Sequence, residues 1–482
     1  MEDPERGVQK RRQQRRKNEL IMKSILAFLI VVVVALAALL IWELLAERAD
    51  RMERQTQIDE IEKQVQATRE AQQRMEEAAA KESASVAEIM AQADFMAKQY
   101  DYDGAAQLLQ SRPDYDISTD MQNMVVRLQE EKDSCVPYTL DEITHVFFHT
   151  LVKDDAKAFD GDGNEPGYNQ VMTTISEFNS IIEQMYEKGY VMVSLHDMCK
   201  VNSDGTVSRG EILLPPGKIP FVLSQDDVSY YHYMVGDGFA EKLIVDENGD
   251  IRNTYIEDDG SVSVGDYDMV PLIDRFVSEH PDFSYRGHKG IIALTGYEGV
   301  LGYRTDEVYR TREESRVTQY QRAFFDANPD FDFDAEVAAA TKVADAMKAE
   351  GWEFASHTWG HINPLAFGYD ATVQDTERWL ENVGPIVGGT DVLIFAFGAD
   401  ISDWHPYTEE NDYFTYLKSR GFSIFCNVDS SQYWVQFGND YMRQGRRNLD
   451  GYRMYYNPEM LEDLFDVEKA WDKNRPTPVP EM

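Results

Sequence analysis

The spacing of apolar positions changes three times along the chain, and each change marks a different kind of element. Ser24 to Trp42 is an unbroken run, SILAFLIVVVVALAALLIW, with no charged side chain. At helical rise that length crosses about 30 Å of hydrocarbon, so the run is expected to be a transmembrane helix over 24–42. From Glu43 to about Glu82 the sequence is charged, Gln-rich and free of Gly and Pro. Ile58, Ile61, Val65, Thr68, Gln72 and Met75 recur there at alternating three and four spacing. Half of that seam is weak or polar, which predicts a helical stalk over 43–82 rather than a strong coiled coil. Over 84–132 the pattern becomes amphipathic: Val86, Ile89, Met90, Ala93, Met96 and Ala97 share one helix face, and Ala105–Leu109 begins another helix after a turn.

Beyond Pro137 short apolar runs rich in β-formers appear at His145–Phe148, Tyr190–Leu195, Phe221–Leu223, Gly290–Leu294, Trp352–Ala355, Val392–Phe395 and Phe422–Phe425. Helical stretches separate most of them, at Gln170–Lys188, Met269–Glu279, Asp334–Glu350, Ala371–Val383 and Glu409–Ser419, and a last helix is expected over Met460–Trp471. This alternation predicts an α/β domain over 138–482, a distorted (β/α) barrel of about seven parallel strands. Turn-rich sequence (DENGD, EDDGS, SVGDYD) predicts a β-rich insertion at about 240–265. The 84–132 segment looks like one tetratricopeptide-like helical hairpin, which would dock on its neighbours because a lone hairpin seldom stands by itself.

Charge orients these parts. The first 23 residues carry eight Lys/Arg against four Asp/Glu. By the positive-inside rule, 1–23 is a cytoplasmic basic tail and everything after residue 43 is extracytoplasmic. A cleaved signal peptide is the competing reading, but the apolar run continues past Ala35 and Ala37 and exceeds a usual signal core. The whole chain has a formal net charge of −39. That acidity argues against a nucleic-acid partner and suits solubility beside an anionic cell envelope. Cys135, Cys199 and Cys426 are too few and too scattered for a disulfide framework or a thiolate metal site.

Polar residues gather at the carboxyl ends of the strands, where parallel barrels carry their chemistry. His149 follows the first run, Asp226-Asp227 the third, His357 and His361 the fifth, Phe397-Gly398 the sixth and Asp429 the seventh. Two imidazoles at i and i+4, in His357-Thr358-Trp359-Gly360-His361, can hold one metal ion from the same side. In Asp226-Asp227 one carboxylate can turn to the metal while its neighbour faces the substrate. A His-His-Asp set with open positions fits catalytic zinc first, and non-haem iron as an alternative.

FVLSQDD, SHTWGH and IFAFGAD, in that order, resemble the NodB-homology polysaccharide deacetylases of carbohydrate esterase family 4. HVFFH and EKGYVMVSLHDM are similar to further strands of that family, and the resemblance spans about 138–435. It implies that Asp227, His357 and His361 bind a divalent metal, with zinc the first choice for that ligand set, and that Asp226 is the general base. The Phe397 N–H would help hold the oxyanion, and Thr358 would orient a ligand or bond substrate. The implied reaction is hydrolysis of acetamido groups on a GlcNAc- or MurNAc-containing cell-envelope or extracellular polysaccharide. Oligomeric state is not implied.

Four positions depart from the family pattern. Val228 replaces a glycine, Ala396 replaces a proline, and Ile394 stands where an arginine often steadies the base. The closing Leu-x-His motif, which supplies a general acid, has no match, since no histidine follows His405. His405, in the SDWHPY loop, is the candidate substitute, and His149 is a further one. Tyr433 and Trp434 are candidates for stacking on sugar, and Arg443, Arg446 and Arg447 could supply a cation to the site or pack the last helix. The alternative function is a catalytically weak or inactive NodB-fold carbohydrate-binding or scaffold protein. A glycoside hydrolase using acidic pairs is a second enzyme rival, and the Asp226-Asp227 pair argues against it, because adjacent carboxylates cannot flank a glycosidic bond.

Overall fold

The computed structural model describes residues 14–42, 60, 63, 65, 66, 69, 72 and 86–482. The stalk expected over 43–82 therefore lies outside the described residues except at six helical positions. The chain divides into two units, 1–86 and 87–482. In the first, Gln14–Trp42 is one continuous helix of 29 residues, long and apolar enough to cross a membrane. Its apolar side chains are exposed, Leu26 by 58% and Phe28 by 69%. Lipid would remove that surface from water at about 25 cal/mol per Å².

The second unit is built on the (β/α) barrel expected from the alternation of strands and helices. Its ring strands are β1 (Thr144–Phe148), β2 (Ile219–Asp226), β3 (Gly290–Leu294), β4 (Trp352–Ser356), β5 (Val392–Ile394), β6 (Ile424–Val428) and β7 (Met442–Asn448). They pair in chain order, every pair parallel, and β7 closes on β1 with Arg446 opposite His145. The helices Ile175–Glu187, Met269–Glu279, Phe333–Ala349, Tyr369–Asn382 and Asp412–Ser419 connect successive strands.

Ring membership differs from the sequence reading at one strand. Tyr190–Met192 is a parallel strand, but it pairs with the first residues of β2 and stays outside the ring. Its place is taken by β7, MRQGRRN, which has no apolar alternation to announce it. The expected single helix over Met460–Trp471 is also absent. A short helix at Gly451–Tyr456, a 3-10 turn at Pro458–Met460 and one helical turn at Val467–Ala470 replace it. The region around 240–265 forms a three-stranded antiparallel sheet, Lys242–Val245, Ile251–Ile256 and Val262–Gly265.

Strand side chains alternate between two faces. Val146, Phe148, Leu223, Ile292 and Leu294 face the helices and join Phe178, Ile181, Ile273, Val343 and Trp379 in one apolar core. Burying such side chains contributes about 1.5–3 kcal/mol each. The other face lines the barrel interior and is partly polar. His145, Ser224, Asp226, Gln444 and Arg446 are all buried there. The helices Val86–Lys98, Tyr102–Gln110 and Thr119–Asp133 precede the barrel. Tyr100, at the end of the first, donates its hydroxyl to Asp282 O at 2.8 Å and stacks on Tyr285.

Candidate metal centre

Three strand ends place the site, and all of them carry strained backbone. Asp227 follows β2 at φ 61°, Thr358 and His361 follow β4 at φ 61° and 51°, and Phe397 follows β5 at φ 58°. A non-glycine residue held left-handed costs about 1–3 kcal/mol and persists only where the surroundings over-determine it. Here they do. Asp375 from the following helix accepts the N–H groups of Trp359 at 2.6 Å and Gly360 at 2.7 Å, one on each carboxylate oxygen. The Thr358 hydroxyl accepts the Ile362 N–H at 2.9 Å, so this side chain closes the turn that carries His361. After β5, Gly398 has φ 63°, and any Cβ there would meet that of Val428 at 2.4 Å.

The strain brings Asp227, His357 and His361 together, with one ligand atom of each within 4.8 Å of the others. Asp227 Oδ2 lies 4.0 Å from His357 Nε2 and 3.6 Å from His361 Nε2. His357 Nδ1 sits 2.9 Å from Ile394 O. A carbonyl only accepts, so Nδ1 carries the proton and Nε2 presents its lone pair to the centre. Asp227 Oδ1 accepts the Tyr231 hydroxyl at 2.8 Å, which leaves Oδ2 for the same point. Two imidazole nitrogens and one carboxylate oxygen, with His357 and Asp227 each backed by a hydrogen bond, fit a divalent ion with coordination positions to spare. Burial lowers the His361 imidazole below its ordinary value, partly offset by Asp227, and this favours the neutral ligand form.

Asp226 adjoins this point from inside the barrel, with Oδ2 3.7 Å from His357 Nε2. Arg446 grips it with both ends of the guanidinium, Nη1 to Oδ1 at 2.7 Å and Nη2 to Oδ2 at 2.9 Å. Burial alone would raise this carboxyl, but Arg446 and then His357 outweigh it and hold it well below the carboxylate range. The guanidinium lies over the Phe147 ring at 4.1 Å and also reaches Ser224 Oγ, which is 2.9 Å from His145 Nε2. The arginine beside Asp226 thus comes from β7, while position 394 holds an isoleucine. No spacing in the sequence announces this, because the partners stand 220 residues apart. Tyr231 was missed as well, although its i+4 offset from Asp227 was the available signal.

The other candidates lie apart or on the rim. The Phe397 side chain is 68% exposed and its ring rests 4.4 Å from that of His361. His149 donates Nδ1–H to Val171 O at 3.2 Å. His405 is exposed and stacks on Trp404 at 3.9 Å, with no hydrogen bond or ion pair to the triad among the described residues. Tyr433 lies beside Asp463 and Glu142 rather than with the triad. Trp434 covers the Arg443 guanidinium at 4.8 Å.

No family model matches the chain, and no curated protein matches it. Among solved structures, it is similar to the Streptococcus pyogenes deacetylase PplD in complex with acetate, at 11% identity and a TM-score of 0.35, over 68% of this chain and 98% of that one.

Proposed function

We propose that the chain is a membrane-anchored hydrolase that removes acetyl groups from the amide nitrogens of an N-acetylated hexosamine polymer outside the cytoplasm. The observation that supports this best is the convergence of Asp227, His357 and His361 on one point that Asp226 adjoins as an arginine-gripped carboxylate. A divalent ion bound by the three, zinc by preference, would polarise the acetamide carbonyl and acidify a water. Asp226 takes the proton of the attacking water. Held so acidic by Arg446, it is ionised at every physiological pH but is a weak base, so it deprotonates only a water whose own pKa has been lowered. The Phe397 N–H donates to the developing oxyanion. His149, which follows β1, protonates the leaving amine from Nε2, since Nδ1 is committed to Val171 O. His405 is not given that role, because it is exposed on the rim and stacked on Trp404. Residues 24–42 anchor the protein with the basic tail in the cytoplasm.

Acetate release from GlcNAc oligomers, with and without added zinc, tests the reading. The wild type should release acetate, and Asp226→Asn and His149→Gln should each lose about 10²-fold or more in kcat. His357→Ala should lose the metal, as measured by elemental analysis. Metal binding without acetate release from any acetylated glycan would instead mean a carbohydrate-binding protein.

A further inference from the structure

Next to the His361–Phe397 contact lies a depression of about 670 Å³ at the carboxyl ends of β5 and β6. Asn363 and Leu365 line it from the loop after His361, Asp403 and Trp404 from the loop after β5, and Asn427 and Asp429 from the end of β6. Trp404 is 69% exposed, an unusual state for the largest apolar side chain. It is nevertheless held in place. The fully buried Arg443 donates to the carbonyls of Asp403 and His405 and to the Asp400 carboxylate, so the loop is tied from beneath. The indole also rests on the His405 ring. An exposed, pre-positioned aromatic beside side-chain amides and carboxylates has the chemistry that binds a sugar ring, apolar face to ring and hydroxyls to oxygen acceptors. The Asn427 side-chain oxygen is buried and has no hydrogen-bond partner among the described residues.

The charge of this depression is one-sided. No Lys or Arg side chain lines it. Asp400 is committed to Arg443 and Tyr407. Asp429 accepts the Ser431 N–H, and neither it nor Asp403 is paired with a cation among the described residues. Two unpaired carboxylates repel an anionic ligand and complement an ammonium group. We propose that this depression seats the sugar next to the one being deacetylated, and that it selects a neighbour bearing a free amine over one bearing a carboxylate or phosphate. The protein then works fastest on chains that already carry some deacetylated units, and poorly on anionic glycans. This inference rests on the deacetylase reading above.

The test uses the full chain in detergent with zinc and three oligosaccharides of equal length: fully acetylated GlcNAc, partly deacetylated GlcNAc, and hyaluronan, whose alternate sugars carry carboxylates. The expected kcat/KM is about five- to tenfold higher for the partly deacetylated oligomer than for the fully acetylated one, and at least about tenfold lower for hyaluronan. Asp403→Asn with Asp429→Asn should bring the first ratio close to one, and Trp404→Ala should raise KM about tenfold with a smaller change in kcat. A partly deacetylated oligomer that is no better than the acetylated one, or a preference that survives the double substitution, overturns the proposal. If no oligomer releases acetate, the deacetylase reading fails, and binding decides the rest. Equal affinity for glucosamine oligomers and hyaluronan would then refute the selectivity. Tighter binding of glucosamine oligomers that the double Asn variant abolishes would uphold it.

Discussion

Replacing Arg446 by leucine keeps a large apolar side chain in the barrel but leaves the Asp226 carboxylate buried and alone. The pair is almost wholly removed from water, with 1% of the arginine side chain and 3% of the aspartate exposed. Two unit charges about 4 Å apart at an effective dielectric of 20 attract by about 4 kcal/mol, most of which offsets their desolvation. Removing one partner forfeits the attraction and keeps the remaining desolvation penalty, a cost of about 3–5 kcal/mol. The Tm should fall by about 6–20 °C, taking 2–4 °C per kcal/mol for a domain larger than about 150 residues. The loss should deepen as pH rises, because the isolated carboxyl escapes part of its penalty by staying protonated at low pH and must ionise at high pH. Urea unfolding of the wild type, Arg446→Leu, Asp226→Asn and the double variant at pH 5.5 and 8 measures this. The double variant should be more stable than the sum of the single losses predicts, by about 2 kcal/mol. A cost of Arg446→Leu below about 1 kcal/mol at pH 8, or additive losses, would refute the reasoning. Arg446→Lys, which keeps the charge but not the two-point grip, should fall between them.

Three further outcomes follow from other contacts. Tyr231→Phe removes the hydroxyl that holds Asp227 Oδ1 at 2.8 Å; zinc affinity, read by competition with a chromophoric chelator, should weaken about tenfold or more, and unchanged affinity would show that the hydroxyl does not orient the ligand. His196 sits 3.2 Å from Glu353 and 3.0 Å from Asp391; burial opposes its charge, but the two carboxylates outweigh it and raise its pKa to about 10. Because the folded value is raised, the stabilisation is full below the ordinary 6.5 and is lost as pH rises through about 10. With 41% of the side chain exposed, solvent screens the pairs to about 1 kcal/mol. His196→Gln should therefore lower urea stability at pH 6 and match the wild type above pH 10; an equal deficit at both would exclude the ion pairs as its cause. Deleting residues 1–42 should move the protein from the membrane pellet to the soluble fraction, and a deletion that still pellets after carbonate washing would rule out this helix as the anchor.

How much could be read in the sequence depended on whether a residue's partner is local. The apolar run 24–42 and six of the ring strands announce themselves, because apolar runs are written in consecutive residues, whereas the extension of that helix back to Gln14 through charged sequence does not. The His357–His361 pair is legible for the same reason, its geometry being fixed within one turn. β7 is not legible, since most of its buried side chains are polar and its arginines pair with carboxylates outside the strand: Arg443 with Asp400, Arg446 with Asp226, Arg447 with Asp463. Tyr190–Met192 misled in the opposite sense. Its apolar residues are buried like those of a ring strand, yet β2 offers that edge to β3 at its far end, and the short strand pairs only with the near end. The 460–471 stretch has helical apolar spacing, but Leu461, Leu464 and Phe465 reach the core from turns rather than from one helix face.

Arg443 and Arg446 stand three residues apart on one strand and therefore point to opposite faces of it. One reaches outward and ties down the loop that presents Trp404, and the other reaches inward and fixes Asp226. A shift of β7 by a single residue would exchange the two faces and disarm both at once. In evolutionary terms the two traits are linked. The loop sequence around Trp404 is free to drift and retune what is recognised, while length changes in β7 are barred, so new specificities should arise by substitution in the loop and never by insertion in the strand beneath it.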